Sequence, residues 1–325
     1  MTSFFYSDKN TTNQKINAFA GFEIVVKRED EIHPVVSGNK FRKLKYNLLA
    51  IQAQKQFPIL SFGGAFSNHL AALAVAANQL TIPAIGIVRG EEWAKKIAKS
   101  ATLSFCVNQG MQLKAVSRER YRLKEKGDEV LALQQKFPHL VCLPEGGTNA
   151  LAVQGCEEIV TPKDHSFDVI CASVGTGGTL AGLIESSSSH QHILGFMALQ
   201  DASVTATISR FTSKTNWELV HDYTFGGYAK ISPPFIAFLN RFYQQYGIPL
   251  DPIYTGKMVF GIFDLIQKQK WKWGQKTRWR SWMTAILILR LPPRLVGLLA
   301  VPGKNAQHHQ DWLCMPKCMM RLLTN

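Results

Sequence analysis

Cys-x-x-Cys pairs are missing from this chain of 325 residues, whose six cysteines (Cys106, Cys142, Cys156, Cys171, Cys314 and Cys318) fall in no even framework. That argues against a zinc ribbon or a disulfide scaffold and fits thiols used as small apolar residues in a reducing compartment. No metal site is expected. A secretory h-region is missing too: Met1 to Thr12 is polar, so the expected location is the cytoplasm. There is no internal repeat, and with 46% hydrophobic and 18% charged residues the composition is that of a soluble globular protein. The length exceeds one ordinary core and suggests two lobes with a cleft between them.

Acid is scarce in one place. The net charge is +14, but eleven Lys or Arg and a single acid, Asp311, fall in the last 58 residues, from Lys268 to Asn325. The remainder is close to balance, which argues against the overall basic footprint of a phosphate-backbone binder, and no nucleic acid is expected as a partner. The same tail holds five of the seven tryptophans. An uninterrupted membrane span is lacking as well. Met283 to Val301 is apolar, but Arg290, Pro292, Pro293 and Arg294 stand in its middle, and charge and helix breakers are costly there.

What is present, from about Phe22 to Ile266, is an alternation of short apolar runs and longer amphipathic segments, the signal of an α/β protein. Ile59 to Phe62, Ala84 to Val88, Leu140 to Leu143, Val169 to Val174 and Ile193 to Leu199 read as buried strands. Asn68 to Gln79, Ala150 to Val160 and Leu180 to Ser186 read as helices after glycine-containing loops. Glycines at strand ends mark where open parallel sheets place their ligands.

Four segments carry chemistry. In Ser37-Gly38-Asn39-Lys40-Phe41-Arg42-Lys43-Leu44-Lys45 the ordinary reading of a lysine is a solvated surface cation. Covalent work instead needs an amine that is neutral near pH 7, which burial or neighbouring cations favour. In Ser61 to His69 a strand end and a Gly-Gly turn deliver Ser67 and Asn68 to a helix start. This is either a plain cap or a seat for a carboxylate. Ser173-Val174-Gly175-Thr176-Gly177-Gly178-Thr179 joins a strand to a helix with amides free to wrap a single phosphate. It has neither the Walker lysine nor the dinucleotide spacing. Leu250 to Lys257 is a turn entering an apolar helix, preceded by Phe225 to Tyr228, and alone would attract no notice.

Taken in order, these segments resemble the pyridoxal-phosphate (PLP) dependent family that holds D-cysteine desulfhydrase and 1-aminocyclopropane-1-carboxylate (ACC) deaminase. The likeness runs from Phe22 to Ile266 and includes Lys27-Arg28-Glu29-Asp30, Gly38-Asn39-Lys40, Gly64 to His69, Glu145 to Asn149, Gly175 to Thr179 and Asp251 to Lys257. The resemblance implies the tryptophan-synthase-β-like arrangement, fold type II, with two open twisted α/β domains and the cofactor in the cleft between them. Residues 1–45 and 155–267 would form the large domain, 46–154 the small one, and 268–325 an atypical basic tail.

It further implies that Lys40 carries PLP as a Schiff base and later acts as the base at Cα. Lys43 and the amides of Gly175, Thr176, Gly177, Gly178 and Thr179 would hold the phosphate. Asn68 would bond the cofactor's 3′ oxygen, and Ser67 the substrate carboxylate. Tyr228 and Tyr254 would face the substrate, with Tyr254 stacking on the ring or passing a proton. Thr255 would face the ring nitrogen where the ACC deaminase pattern has Glu. A hydroxyl supports a charged ring nitrogen less well than a carboxylate, which favours β-elimination from D-cysteine over cyclopropane opening. A homodimer acting on a small amino acid is expected.

The likeness stops after Ile266. Family members continue with a last strand ending in a His-Thr-Gly-Gly type turn beside the cofactor; here the corresponding stretch begins Thr277-Arg278-Trp279-Arg280-Ser281-Trp282. A reading-frame change near residue 268 accounts for the abrupt composition. Loss of a central strand would then expose sheet edges. An inactive, degenerate member and a basic nucleic-acid-binding tail are the competing readings.

Overall fold

The structure is a computed structural model in which residues 4–5, 11–19, 22–268 and 284–288 are described. Along the chain run β1 (Asn13–Phe19), β2 (Phe22–Lys27), α1 (Asn39–Gln54), β3 (Ile59–Gly63), α2 (Asn68–Gln79), β4 (Ala84–Arg89), β5 (Gln112–Val116) and β6 (Val141–Cys142). They are followed by α3 (Ala150–Glu157), β7 (Val169–Val174), α4 (Gly178–Ser186), β8 (His192–Met197), β9 (Trp217–Val220), α5 (Thr255–Gln267) and β10 (Thr284–Ile288), with further helices between. The four-stranded sheet has the order β5-β4-β3-β6 and is parallel throughout. The six-stranded sheet has the order β1-β2-β10-β7-β8-β9, antiparallel only between β1 and β2. This is the α/β architecture expected, since strands with both faces covered read as continuous apolar runs.

The larger sheet shows why those runs are unbroken. On one face α5 packs Met258, Val259, Ile262 and Ile266 with Leu194, Phe196 and Cys171. On the other, α4 packs Leu180, Leu183 and Ile184 with Ile170 and Ile193. Each such aliphatic side chain contributes about 1.5–3 kcal/mol by leaving water.

The expectation of a missing central strand is corrected. Thr284–Ile288 pairs in parallel with β2 on one side and β7 on the other, with Ile286 opposite both Val25 and Ile170. Thr-Ala-Ile-Leu-Ile is a short β-branched and aliphatic run of the kind that suits a strand covered on both faces, and β2 and β7 have no open edge there. Of the tail 268–325 only Lys268 and this strand are described, so the frame-change reading and the absent turn motif lie outside the described residues.

Both boundaries drawn between the expected domains, at 45/46 and 154/155, fall inside helices, α1 and α3. The two helices touch where a Cβ on Gly155 would lie 2.0 Å from the carbonyl oxygen of Arg42. Glycine in a helix costs about 0.8–1.0 kcal/mol relative to alanine, so here the close approach outweighs propensity. Gly155→Ala is expected to destabilise the protein by about 1–3 kcal/mol through overpacking, read as a lower urea midpoint; an unchanged midpoint would mean that α1 and α3 separate freely.

Candidate active site

A cavity of about 490 Å³ opens at the C-terminal ends of β3, β4, β7 and β8 and takes its walls from both sheets. Its floor is the first turn of α1. Glu29, wholly buried, clamps Arg42 at 2.9 and 3.0 Å and accepts the Thr11 hydroxyl at 2.7 Å. The Glu29 carbonyl accepts the Gly38 amide at 2.9 Å, so the helix start is held on two sides. From it Lys40 and Lys43, both buried, donate to one acceptor, the Gly146 carbonyl, at 3.0 and 3.1 Å. Lys43 also donates to Thr148 Oγ1 at 2.8 Å and Thr176 Oγ1 at 3.4 Å.

Opposite them stands the loop from β7 to α4. Gly175, Thr176, Gly177 and Thr179 line the cavity. Gly178 stands behind, where a Cβ would meet Thr148 Cγ2 at 2.7 Å and Lys43 Nζ at 3.2 Å. No side chain caps α4, so its first amides keep the partial positive charge of a helix start. The Thr148 and Thr176 hydroxyls are 2.6 Å apart, and Asn39 Nδ2 donates to Thr179 Oγ1 at 2.8 Å. An uncapped helix start, a buried lysine and two hydroxyls form a donor set that fits a phosphate monoester.

Ser67 and Asn68 line the cavity from the smaller sheet. Ser67 is the N-cap of α2, its Oγ accepting the Leu70 amide at 3.2 Å. His69 also reaches the wall, but Ser61 Oγ lies 2.8 Å from its Nε2 and donates onward to the Leu143 carbonyl at 2.9 Å. Tyr228 and Tyr254 face each other edge to face, with centroids 6.1 Å apart. Tyr254 packs so close to Gly175 that a Cβ there would meet its Cε1 at 3.3 Å.

Thr255 is not brought to the cavity lining. It is fully buried, donates its hydroxyl proton to Asp251 Oδ2 at 2.8 Å and accepts the Asp251 amide at 3.0 Å. The cause is the turn ahead of α5, where the Asp251 carboxylate also accepts the amides of Ile253, Tyr254 and Thr255. A hydroxyl at the helix start is drawn into that cap.

Several lining residues had no distinctive signal. Arg89, at the end of β4, reaches beside the Gly63-Gly64 turn, its Nη2 3.9 Å from where a Gly64 Cβ would be. One arginine ending a strand is ordinary in sequence. Asp201, just past β8, is equally plain. Glu145 lines the wall and binds Lys124 at 2.7 Å and the Tyr121 hydroxyl at 2.5 Å. Burial, then the Glu145 charge, push that phenol well above its usual range. Among the described residues no His, Cys, Asp or Glu group could hold a metal ion, and no helix is long and apolar enough to cross a membrane.

Comparison with known proteins places this cavity in context. The family model described as pyridoxal-phosphate dependent enzyme matches residues 7–277. A putative 1-aminocyclopropane-1-carboxylate deaminase of Thermotoga maritima is 30% identical over 276 residues, covering 77% of this chain and 86% of that protein. A bifunctional D-cysteine desulfhydrase/1-aminocyclopropane-1-carboxylate deaminase of Arabidopsis thaliana is 27% identical, over 78% of this chain and 70% of the relative. A crystal structure of an ACC deaminase homologue superposes with a TM-score of 0.73 at 24% identity, covering 86% of this chain and 89% of the other. With a glycine loop at the start of α4, two buried lysines on one helical turn and these relatives, the chain belongs to the pyridoxal-phosphate dependent enzyme family of fold type II.

Proposed function

We propose that this enzyme is a D-cysteine desulfhydrase-like lyase, converting D-cysteine and water to pyruvate, ammonia and hydrogen sulfide. When bound, PLP supplies an electron sink for the pair left at Cα after deprotonation. The protein's residues do the rest. Lys40 Nζ would hold the cofactor covalently and, when free, would take the proton from Cα. Lys43 and the amides of Gly175 to Thr179 would hold the phosphate. Asn68 would bond the 3′ oxygen and Ser67 would receive the substrate carboxylate. Tyr254 would stack on the ring or pass a proton toward the leaving sulfur, and Tyr228 would close the substrate side.

The observation that carries this reading is the convergence of Lys40 and Lys43 on the Gly146 carbonyl at 3.0 and 3.1 Å, facing the uncapped start of α4. Both lysines line the cavity, and the contacts of Lys43 with Thr148 and Thr176 support its assignment to the phosphate, leaving Lys40 for the covalent link. Thr255 bears on substrate choice. Its proton is committed to Asp251, so it has no proton to offer a ring nitrogen and no charge to stabilise one. That weakens the electron sink and favours expulsion of a good leaving group such as sulfide over opening of a cyclopropane.

ACC deamination is the second reading, favoured by the relative from Thermotoga maritima named for it. Purified protein supplied with PLP is expected to show a visible absorption band and to release sulfide and pyruvate from D-cysteine. Release of 2-oxobutanoate from ACC at a greater kcat/KM would reverse the order of the two readings, and a folded protein without a band would overturn both. The proposal includes a cytoplasmic homodimer, and places residues 1–45 with 155–267 in the large domain and 46–154 in the small one. Light scattering on the eluted protein tests the oligomer.

A further inference from the structure

Lys257, on the first turn of α5, is 1% exposed. Its Nζ donates to three backbone carbonyls: Gly227 at 2.7 Å, Thr224 at 2.8 Å and Ala198 at 3.3 Å. Among the described residues it forms no ion pair. Three acceptors match the three N–H donors of an ammonium, whereas a neutral amine has two. Burial pulls this amine below its ordinary value, and the nearby Asp251 charge opposes the shift.

The carbonyls belong to segments that build the cavity wall. Ala198 directly follows the last residue of β8 and immediately precedes the lining residue Leu199, and Gly227 immediately precedes Tyr228. The Tyr228 loop is turned by an uncommon backbone: Phe225, Gly226, Gly227 and Ala229 have φ of 54°, 85°, 134° and 58°. Left-handed conformations at non-glycine residues are strained and persist only when the surroundings impose them. Here the surroundings are a cation that collects the Thr224 and Gly227 carbonyls on one side, leaving Tyr228 on the other.

We propose that Lys257 is a positioning residue that acts as a tethered cation: its ammonium fills a cage of backbone carbonyls and thereby sets Tyr228 and the Leu199 segment against the substrate. The cage is built for a monovalent cation of ammonium size, and the tether makes a dissociable one unnecessary. Truncating the side chain converts the cage into a site that potassium or ammonium ions can occupy. The role of Tyr228 in this inference rests on the lyase reading above; the cage itself does not.

The test uses full-length PLP-loaded enzyme, wild type, Lys257→Ala and Lys257→Met, in choline, potassium or ammonium chloride at equal ionic strength. Wild-type turnover of D-cysteine is expected to be the same in all three. In choline, Lys257→Ala is expected to lose about 10²-fold in kcat, the scale of a misplaced wall residue, with a smaller change in KM. Potassium or ammonium is expected to restore it saturably, whereas Lys257→Met, whose side chain fills the space without charge, stays low.

In parallel, the thermal midpoint of Lys257→Ala should rise with potassium or ammonium and not with choline, a readout that needs no substrate. A wild type that itself requires potassium overturns the proposal even if the variants do not fold. So does a Lys257→Ala protein indifferent to cations in both assays. If wild type ignores D-cysteine while the cation-dependent melting shift remains, the lyase reading fails and the tethered cation stands.

Discussion

Lys40→Ala is expected to abolish covalent cofactor attachment and to reduce D-cysteine turnover by at least about 10³-fold, within the range that a positioned acid-base group supplies. Two lysines compete for this assignment, because Lys40 and Lys43 lie one turn apart on α1 and share the Gly146 carbonyl. Their other partners separate them. Lys43 is surrounded by the hydroxyls of Thr148 and Thr176 and by Gly178, all at the foot of the loop from β7 to α4. It is therefore matched to an anion rather than to a carbonyl carbon.

Borohydride reduction of the PLP-loaded protein followed by peptide mass analysis should mark Lys40 and leave Lys43 unmodified. Lys40→Ala should still bind the cofactor, more weakly and without the visible band of the wild type. Lys43→Ala should keep the covalent link and require more PLP for saturation. Label on Lys43, or full activity without Lys40, would sink the assignment.

Lys27→Met is expected to lower the stability of the fold by about 3–5 kcal/mol, the cost of leaving one charge of a buried pair uncompensated. Lys27 and Asp164 are 2% and 0% exposed, 2.6 Å apart. The pair joins β2 to the short helical turn that precedes β7, and so bridges the two strands that flank β10. Asp164 also accepts Asn13 Nδ2 at 2.7 Å and the Thr161 amide and hydroxyl at 2.8 and 2.9 Å. Burial alone would raise its carboxyl; the hydrogen bonds from Lys27, Asn13 and Thr161 and the Lys27 charge outweigh it and hold the group below its usual value.

A carboxyl depressed in the folded state stabilises the protein above its unfolded pKa, and that contribution is lost as pH falls through the folded one. The wild type should therefore lose this increment in acid. The variant has less of it to lose, so the gap between the two urea midpoints should narrow toward low pH. The double variant Lys27→Met, Asp164→Leu should recover part of the loss, because removing both partners removes the unpaired charge. A single variant as stable as wild type at neutral pH would show that water already reaches the pair.

The chemistry-bearing segments were legible because each is a local pattern. Val169–Val174 is a strand in full, Asn68–Gln79 a helix in full, and the glycine loop after β7 lies where a strand hands over to a helix. Less legible were elements whose local signal is ordinary. β5 and β9 are short, half-exposed runs. The floor helix α1 mixes four cations and four amides with its apolar positions and reads as surface until its partners are seen. β10 was hidden by its setting, since Thr284–Ile288 lies inside a longer apolar stretch, Met283 to Val301, whose length suggests a membrane span and whose arginines and prolines argue against one.

Thr255 shows the same limit at a single residue. Its place after Tyr254 directs it to a ring nitrogen by resemblance, yet five hydrogen bonds that close the Asp251 turn, two of them made by its own hydroxyl, bind it elsewhere.

Sequence alone determined the kind of chemistry: an amine within a Gly-Asn-Lys segment, a loop of amides open to a phosphate, and a polar helix start, each specified by a few adjacent residues. Tertiary structure decided what these become together. It brought Lys40 and Lys43 to one carbonyl contributed more than a hundred residues later, set Arg89 beside the Gly63-Gly64 turn, placed a strand from the atypical tail between β2 and β7, and gathered three carbonyls around Lys257. Covalent spacing sets local conformation, but which distant polar groups share a buried acceptor depends on how the sheets and helices pack, because a buried charge persists only where the fold supplies its partners.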